Sequence, residues 1–201
     1  YAAVLGRNFS NQNIGGSDEC LAVLRDAHRA IGENLDSPEG RRLLEEKFGL
    51  CHEDLEEQKV QTIFTLYGQA TGVNLQYNDP KCKEDYCNIQ RICTGFTTGR
   101  KPPLDLLADI YKVNRPSREC LVKELQQIIV EWKNDKNSSE DRISCFQDCT
   151  STGHFGTCND VGCPFFTRQD RDWFDYLTWL CKAGFGLSDE EILKGVKDFK
   201  E

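Results

Sequence analysis

Eleven cysteines are spread through 201 residues, and they constrain this chain more than any other feature. In a reducing compartment so many thiols need metal or redox chemistry. In an oxidising one they pair. The run Ser144–Cys158, SCFQDCTSTGHFGTC, poses the question most sharply, with cysteines at 145, 149 and 158 and His154 among them.

Zinc is one reading: Cys82-x4-Cys87 and Cys158-x4-Cys163 offer ligand pairs, and Cys145 lies one helical turn before Cys149. These segments do not follow the order of a finger or ribbon. Two glycosylation sequons, at Asn8 and Asn137, point to an oxidising compartment, so disulfides are expected and no metal is.

Catalysis is the other reading. A serine hydrolase needs Gly-x-Ser-x-Gly on a strand-to-helix turn, and these residues contain no such run. GGSDE at residues 15–19 has glycines before Ser17 and none two places after it, which suits a helix cap. A cysteine nucleophile needs a histidine beside it. His154 lies five residues after Cys149 in a non-signature loop, and His28 and His52 are assigned packing or surface parts. No catalytic, cofactor-binding or metal residue is therefore named.

Helical periodicity dominates the rest. Ser17 caps a helix whose Cys20, Leu24, Ala27 and Ile31 share one face. Ser37, Pro38 and Gly49 bracket a second, with Leu43, Leu44 and Phe48 as its stripe. A third is expected in EDLEEQKVQTIFTLYGQA, with Val60, Ile63, Phe64 and Tyr67 inward. Further helices are expected around Ile89 and Cys93, over PPLDLLADIYKVN (102–114) with Leu104, Leu107 and Ile110 or Tyr111 buried, and over SRECLVKELQQIIVEWKND. That last one carries Leu121, Leu125, Ile128, Ile129 and Trp132. QDRDWFDYLTWLCKAGFG, a helix ended by Gly184, and a closing helix with Ser188 and Glu191 as a capping box complete the pass. The acidic runs EDLEE and SDEE read as solvated faces and first turns, and most of CPFFTRQDRDWF reads as core. No strand alternation appears. The expectation is an all-α, disulfide-stapled bundle of about six to eight helices. Residues 1–16 are taken as an extension and 17–201 as a single domain.

A net charge of −8 disfavours nucleic acid and anionic membrane surfaces as partners. No apolar run approaches the ~20 residues that span a bilayer. The absence of methionine and of a leader is expected of a processed or excised chain.

The cysteine pattern resembles something specific. Cys20 opens a helix, KFGLC ends the next at Cys51, SCFQDCTS occupies residues 144–151, and Cys181 precedes Phe185 and Gly186. This is similar to the helical cap of the serine exopeptidases that include prolyl carboxypeptidase, dipeptidyl peptidase II and thymus-specific serine protease. The family motif W-x-Y-Q-x-C-T-E has Ser144 in place of its tryptophan and Ser151 in place of its glutamate here. Both positions belong to a segment expected to border the active-site cleft. The family's α/β-hydrolase part, which carries its Ser, Asp and His, has no counterpart in the stretch that the resemblance covers.

The resemblance implies bridges Cys20–Cys93, Cys51–Cys120 and Cys149–Cys181. Cys82–Cys87 and Cys158–Cys163 are further candidates, which leaves Cys145 unpaired. The functional expectation is a secreted, non-catalytic binding or modulating protein built on this cap fold. It would act on an extracellular or host protein, with no nucleic-acid partner, membrane insertion or cofactor. The alternative is an excised cap that gates substrate access in a lysosomal or secreted peptidase cleaving next to proline.

Overall fold

A computed structural model describes residues 6–68, 78–99, 101–115, 119–134, 136, 139–152, 165 and 173–198. Among the described residues there are nine α-helices and no strand. The fold is all-α and disulfide-rich. The helices are α1 (Asp18–Leu35), α2 (Pro38–Phe48), α3 (Gln58–Gly68), α4 (Ile89–Thr97), α5 (Pro103–Asn114), α6 (Leu121–Lys133), α7 (Glu140–Gln147), α8 (Trp173–Phe185) and α9 (Asp189–Asp198). The chain forms two compact units, Tyr1–Leu121 with Cys158–Arg171, and Val122–Thr157 with Asp172–Glu201.

In the first unit, Ser17 accepts the Cys20 amide hydrogen at 3.0 Å, and Asp18 and Glu19 sit in the first turn of α1, at the positive end of its dipole. Its buried face is Cys20, Leu24, Ala27, His28, Ile31 and Leu35. Ser37 caps α2 through the Gly40 amide, Pro38 occupies the first turn, and Gly49 ends the helix at φ +70°. Gly40 is required by proximity: a Cβ there would stand 2.1 Å from the Asn34 carbonyl oxygen. α2 therefore folds back tightly on the end of α1. Leu43, expected in the stripe, is instead 39% exposed, because Gly40, Leu44, Glu45 and Phe48 make the contact face.

α1 packs against α2, α4 and α5. Phe48, Phe64 and Tyr111 meet edge-to-face with centroids 4.9, 5.4 and 5.7 Å apart. Such aromatic pairs are worth ~0.5–1.5 kcal/mol beyond the area they bury. Lys47 pairs with Asp105 between α2 and α5. Arg41 holds Glu56 through two hydrogen bonds of 3.0 and 3.1 Å, which keep that carboxyl below its usual range. Residues before Ser17 join this unit: Phe9 is fully buried, and its carbonyl accepts the Ser17 amide hydrogen at 2.7 Å.

The stretch read as the start of the third helix is instead a 3₁₀ turn, Asp54–Glu56, with α3 beginning at Gln58. Within EDLEE, Glu53, Glu56 and Glu57 are exposed, as a solvated face requires, whereas Asp54 and Leu55 are buried. Tyr67 lies outside the described side chains.

In the second unit, Ser139 caps α7 by accepting the Arg142 amide hydrogen. A π-helical turn, Asp148–Thr152, continues from α7. Cys149, Cys181 and Ile192 form one buried cluster here, flanked by Phe185 and Leu187. α9 lies so close to the π turn that a Cβ on Gly195 would come within 2.3 Å of the Thr150 oxygen. Gly184 performs the same service for α8, where a Cβ would meet Trp132 at 2.7 Å. Ile128, Ile129 and Trp132 of α6 are half-buried rather than buried, whereas Leu121 and Leu125 are fully covered.

Candidate functional site

The Ser144–Ser151 segment is the natural candidate, because it carries both the cysteine puzzle and the altered family motif. α7 and the π turn present it. A π turn widens the helix by one residue per hydrogen-bonded ring, and such turns are frequent at functional sites. Here it sends Cys149 inward and leaves Ser151 outward. Cys149 is bridged to Cys181 of α8, with Cα atoms 5.8 Å apart.

Phe146 remains 41% exposed and Ile143 45% exposed, with Ser144 and Gln147 exposed beside them. The Phe146 ring meets Phe185 edge-on at 5.3 Å. Phe185 stacks flat on Trp132 at 4.9 Å, and the Arg142 guanidinium lies 5.4 Å from its centroid. Arg142 also donates through Nε to the Trp132 carbonyl at 3.0 Å. The result is an exposed aromatic edge held from behind by a stack, a cation and a covalent bridge. Thr150 donates to the Phe146 carbonyl at 2.8 Å, and Thr152 donates to Asp148 Oδ1 at 2.7 Å. These hydroxyls are therefore engaged in holding the turn.

Cys145 is a free, half-buried thiol. Burial, and then the carboxylates of Asp148 and Asp141, push it up to about 11. A nucleophilic cysteine needs the reverse, a cationic neighbour that favours the thiolate. The segment therefore offers apolar and amide contacts rather than covalent chemistry. Among the described residues no three His, Cys, Asp or Glu side chains converge on a point where a metal would sit.

In the first unit, the structure brings together Cys20 with Cys93, Cys51 with Cys120, and Cys82 with Cys87. Cys158, Cys163, His154 and Asn137 lie outside the described residues. Asn8 is half-buried in a 3₁₀ turn whose Ser10 hydroxyl donates to the Arg7 carbonyl. His52 is exposed beside Glu53.

Two residues acquire roles that composition did not disclose. Asp54 Oδ2 accepts the amide hydrogens of Cys51 at 3.0 Å and Leu121 at 3.1 Å, so one carboxylate ties both sides of the Cys51–Cys120 bridge. His28 is fully buried and finds no partner for either ring nitrogen. The signal for His28 was its place four residues after Leu24, within the buried stripe of α1. Asp54 had no such signal, because its partners lie 3 and 67 residues away.

Among the described residues, no helix is long and apolar enough to cross a membrane. The chain is 26% identical over 206 residues to thymus-specific serine protease of Mus musculus, a match covering 98% of this chain and 40% of that protein. It therefore spans about 40% of the length of the curated relative it matches. No solved structure matches it. The family model for serine carboxypeptidase S28 runs over residues 1–198, and on that span the chain belongs to the S28 family of serine peptidases.

Proposed function

We propose that these residues form the helical cap of an S28 serine peptidase, a lid that narrows access to the catalytic centre and selects substrates cleaved next to proline. The observation that carries this is the exposed Phe146–Gln147 surface, where the family motif stands. It sits on a rigid support: the Phe185–Trp132 stack and the Cys149–Cys181 bridge. A lid that discriminates between substrates needs such a fixed apolar edge, because binding geometry that shifts by an ångström loses selectivity. The Ser, Asp and His would belong to the length of the relative that this chain does not span.

The test uses the complete gene product. It should react with a fluorophosphonate serine probe and hydrolyse a short prolyl peptide. Phe146→Ala should raise KM several-fold while leaving the rate of probe labelling unchanged. A complete gene product that carries no hydrolase part and ignores the probe would overturn this reading.

One observation favours a second reading. Ser144 and Ser151 are both exposed where the family carries tryptophan and glutamate, and Ile143 stands exposed beside Phe146. A surface so altered suits a secreted, non-catalytic protein that binds an extracellular or host protein through this face. Saturable binding to an extracellular partner, lost in Ile143→Asp/Phe146→Asp, supports it. Prolyl hydrolysis by the complete product excludes it.

A further inference from the structure

We propose that His28 makes the first unit acid-sensitive, so that the packing around Phe9 and Phe165 loosens reversibly as the pH falls below neutrality.

His28 is fully buried in the apolar face of α1. Its ring meets Phe165 edge-on at 5.4 Å, and Phe165 in turn meets Phe9 edge-on at 6.2 Å. Phe9 is fully buried and Phe165 is 1% exposed. Neither ring nitrogen has a hydrogen-bond partner. A neutral imidazole in such a place costs the fold one or two unsatisfied polar atoms. An imidazolium there would bring an unpaired charge into an apolar site, which is far more costly.

Among the described residues, no neighbour is placed to compensate that charge. α1 is packed by α2, α3, α4, α5 and the Asn8–Ser10 turn. The buried carboxylate of α2, Glu45, accepts the Leu55 amide hydrogen at 2.9 Å. The buried polar side chains of α3 are Gln61, Thr62 and Thr65, none of which titrates near neutrality. In α4, Cys93 is oxidised and Arg91 is exposed. In α5, the Tyr111 hydroxyl accepts from Arg115 at 3.0 Å, and Asp109 pairs with Lys101. The turn is preceded by exposed Arg7, and Arg25, Asp26 and Arg29 of α1 itself are exposed. Asp54, the other buried carboxylate, serves the Cys51 and Leu121 amides.

Burial alone lowers the His28 basicity, from 6.5 to about 3. The folded state thus refuses the proton that the unfolded state takes up at 6.5. Stability is complete above pH 6.5 and declines as the pH falls towards 3, by about tenfold in the folding equilibrium per pH unit. At pH 5 the loss amounts to roughly thirtyfold. The Cys20–Cys93 bridge begins two turns before His28 on the same face and holds α1 to α4 throughout. That tether makes loosening local and recoverable rather than a full unfolding.

The test is carried out on the 201-residue chain with its disulfides intact. Imidazole nitrogen shifts should show one of the three histidines staying neutral down to about pH 3–4. Amide exchange in α1 should rise as the pH falls from 7 to 5, after correction for intrinsic rates, and recover on return to pH 7. His28→Leu and His28→Gln should both abolish that rise, although only the first removes the unsatisfied polar atoms. If His28 titrates near 6.5 in the native protein, or if exchange in α1 is unaffected by pH, the inference fails. Should either variant fail to fold, the nitrogen shifts and the exchange profile of the native chain still decide it.

Discussion

The Asp54 carboxylate stops the backbone at both ends of a disulfide from being left without hydrogen-bond partners. Its Oδ2 atom receives the Cys51 and Leu121 amide hydrogens, and the side chain is 2% exposed. Asp54→Ala would leave both donors unsatisfied, at ~1–3 kcal/mol each before water enters the gap. A loss of about 3 kcal/mol is expected in urea denaturation, whereas Asp54→Asn, which keeps an acceptor, should cost less than half as much. An unchanged midpoint for the alanine variant would show that the two amides find other partners. Cys145 makes an independent prediction. With its thiol pushed up to about 11 from 9.0, the thiolate fraction at pH 8 falls by about a hundredfold. Native iodoacetamide labelling of the Cys145 peptide should be slower than that of the denatured chain by that order. Labelling at the denatured rate would mean that the flanking Asp141 and Asp148 and the burial around the sulfur do not hold in solution.

Helix α9 shows how local rules and close packing combine in one element. Ser188 Oγ accepts the Glu191 amide hydrogen at 3.3 Å, and Glu191 Oε2 accepts the Ser188 amide hydrogen at 2.8 Å. This reciprocal box is worth about 1 kcal/mol, so Ser188→Ala should lower stability by that amount. Gly195 lies on the opposite requirement, because any side chain there strikes the Thr150 carbonyl. Gly195→Ala gains helix propensity of ~1 kcal/mol, yet it should destabilise by more, since the clash is with backbone. A gain in melting temperature for Gly195→Ala would show that α9 can move off the π turn at little cost. The contrast explains what was legible beforehand. Ser17, Ser37 and Ser188 announced their helices because a cap is written within four residues. The stripe Cys20, Leu24, Ala27, Ile31 announced its buried face because the period of a helix is local. Gly40 and Gly195 carry no such local signal, since each is required by another element, and Gly184, expected to end its helix, lies inside α8 because it faces Trp132. The α7 helix was missed within a cysteine-rich run, where its apolar residues Ile143 and Phe146 do not point into a core and so leave no burial stripe. Asp54–Glu56 forms a 3₁₀ turn rather than a helical start, and Asp54 alone among the acids of EDLEE is buried, because it serves distant backbone that no window along the sequence contains.

At the scale of the whole molecule, covalent links complement modest cores. Among the described residues, three bridges lie in the first unit and one in the second. Their cysteines are separated by 73, 69, 5 and 32 residues respectively. If a bridge acts by restricting the unfolded chain, its contribution grows with the logarithm of the loop it closes. The chain-entropy relation gives about 4 kcal/mol for each of the three longer loops and about 2 kcal/mol for Cys82–Cys87. The second unit is the better place to look, because Cys149, Cys181 and Ile192 form one buried cluster there, so the bridge is itself most of that cluster. Cys149→Ser/Cys181→Ser should therefore cost more than the loop entropy alone, since two hydroxyls take the place of buried sulfur. A drop of at least 4 kcal/mol is expected, with amide exchange rising in α8 and α9. Cys82→Ser/Cys87→Ser, at a partly exposed site, should cost no more than about 2 kcal/mol. If the two double variants lose equal stability, loop length and core burial are not what these bridges contribute, and a common effect on the unfolded chain or on native strain must replace that account. If exchange in α8 and α9 stays unchanged in the first variant, packing of Ile192 against Phe185 and Leu187 suffices without the covalent tie, and the Phe146 edge is then held from behind by the aromatic stack and the Arg142 cation.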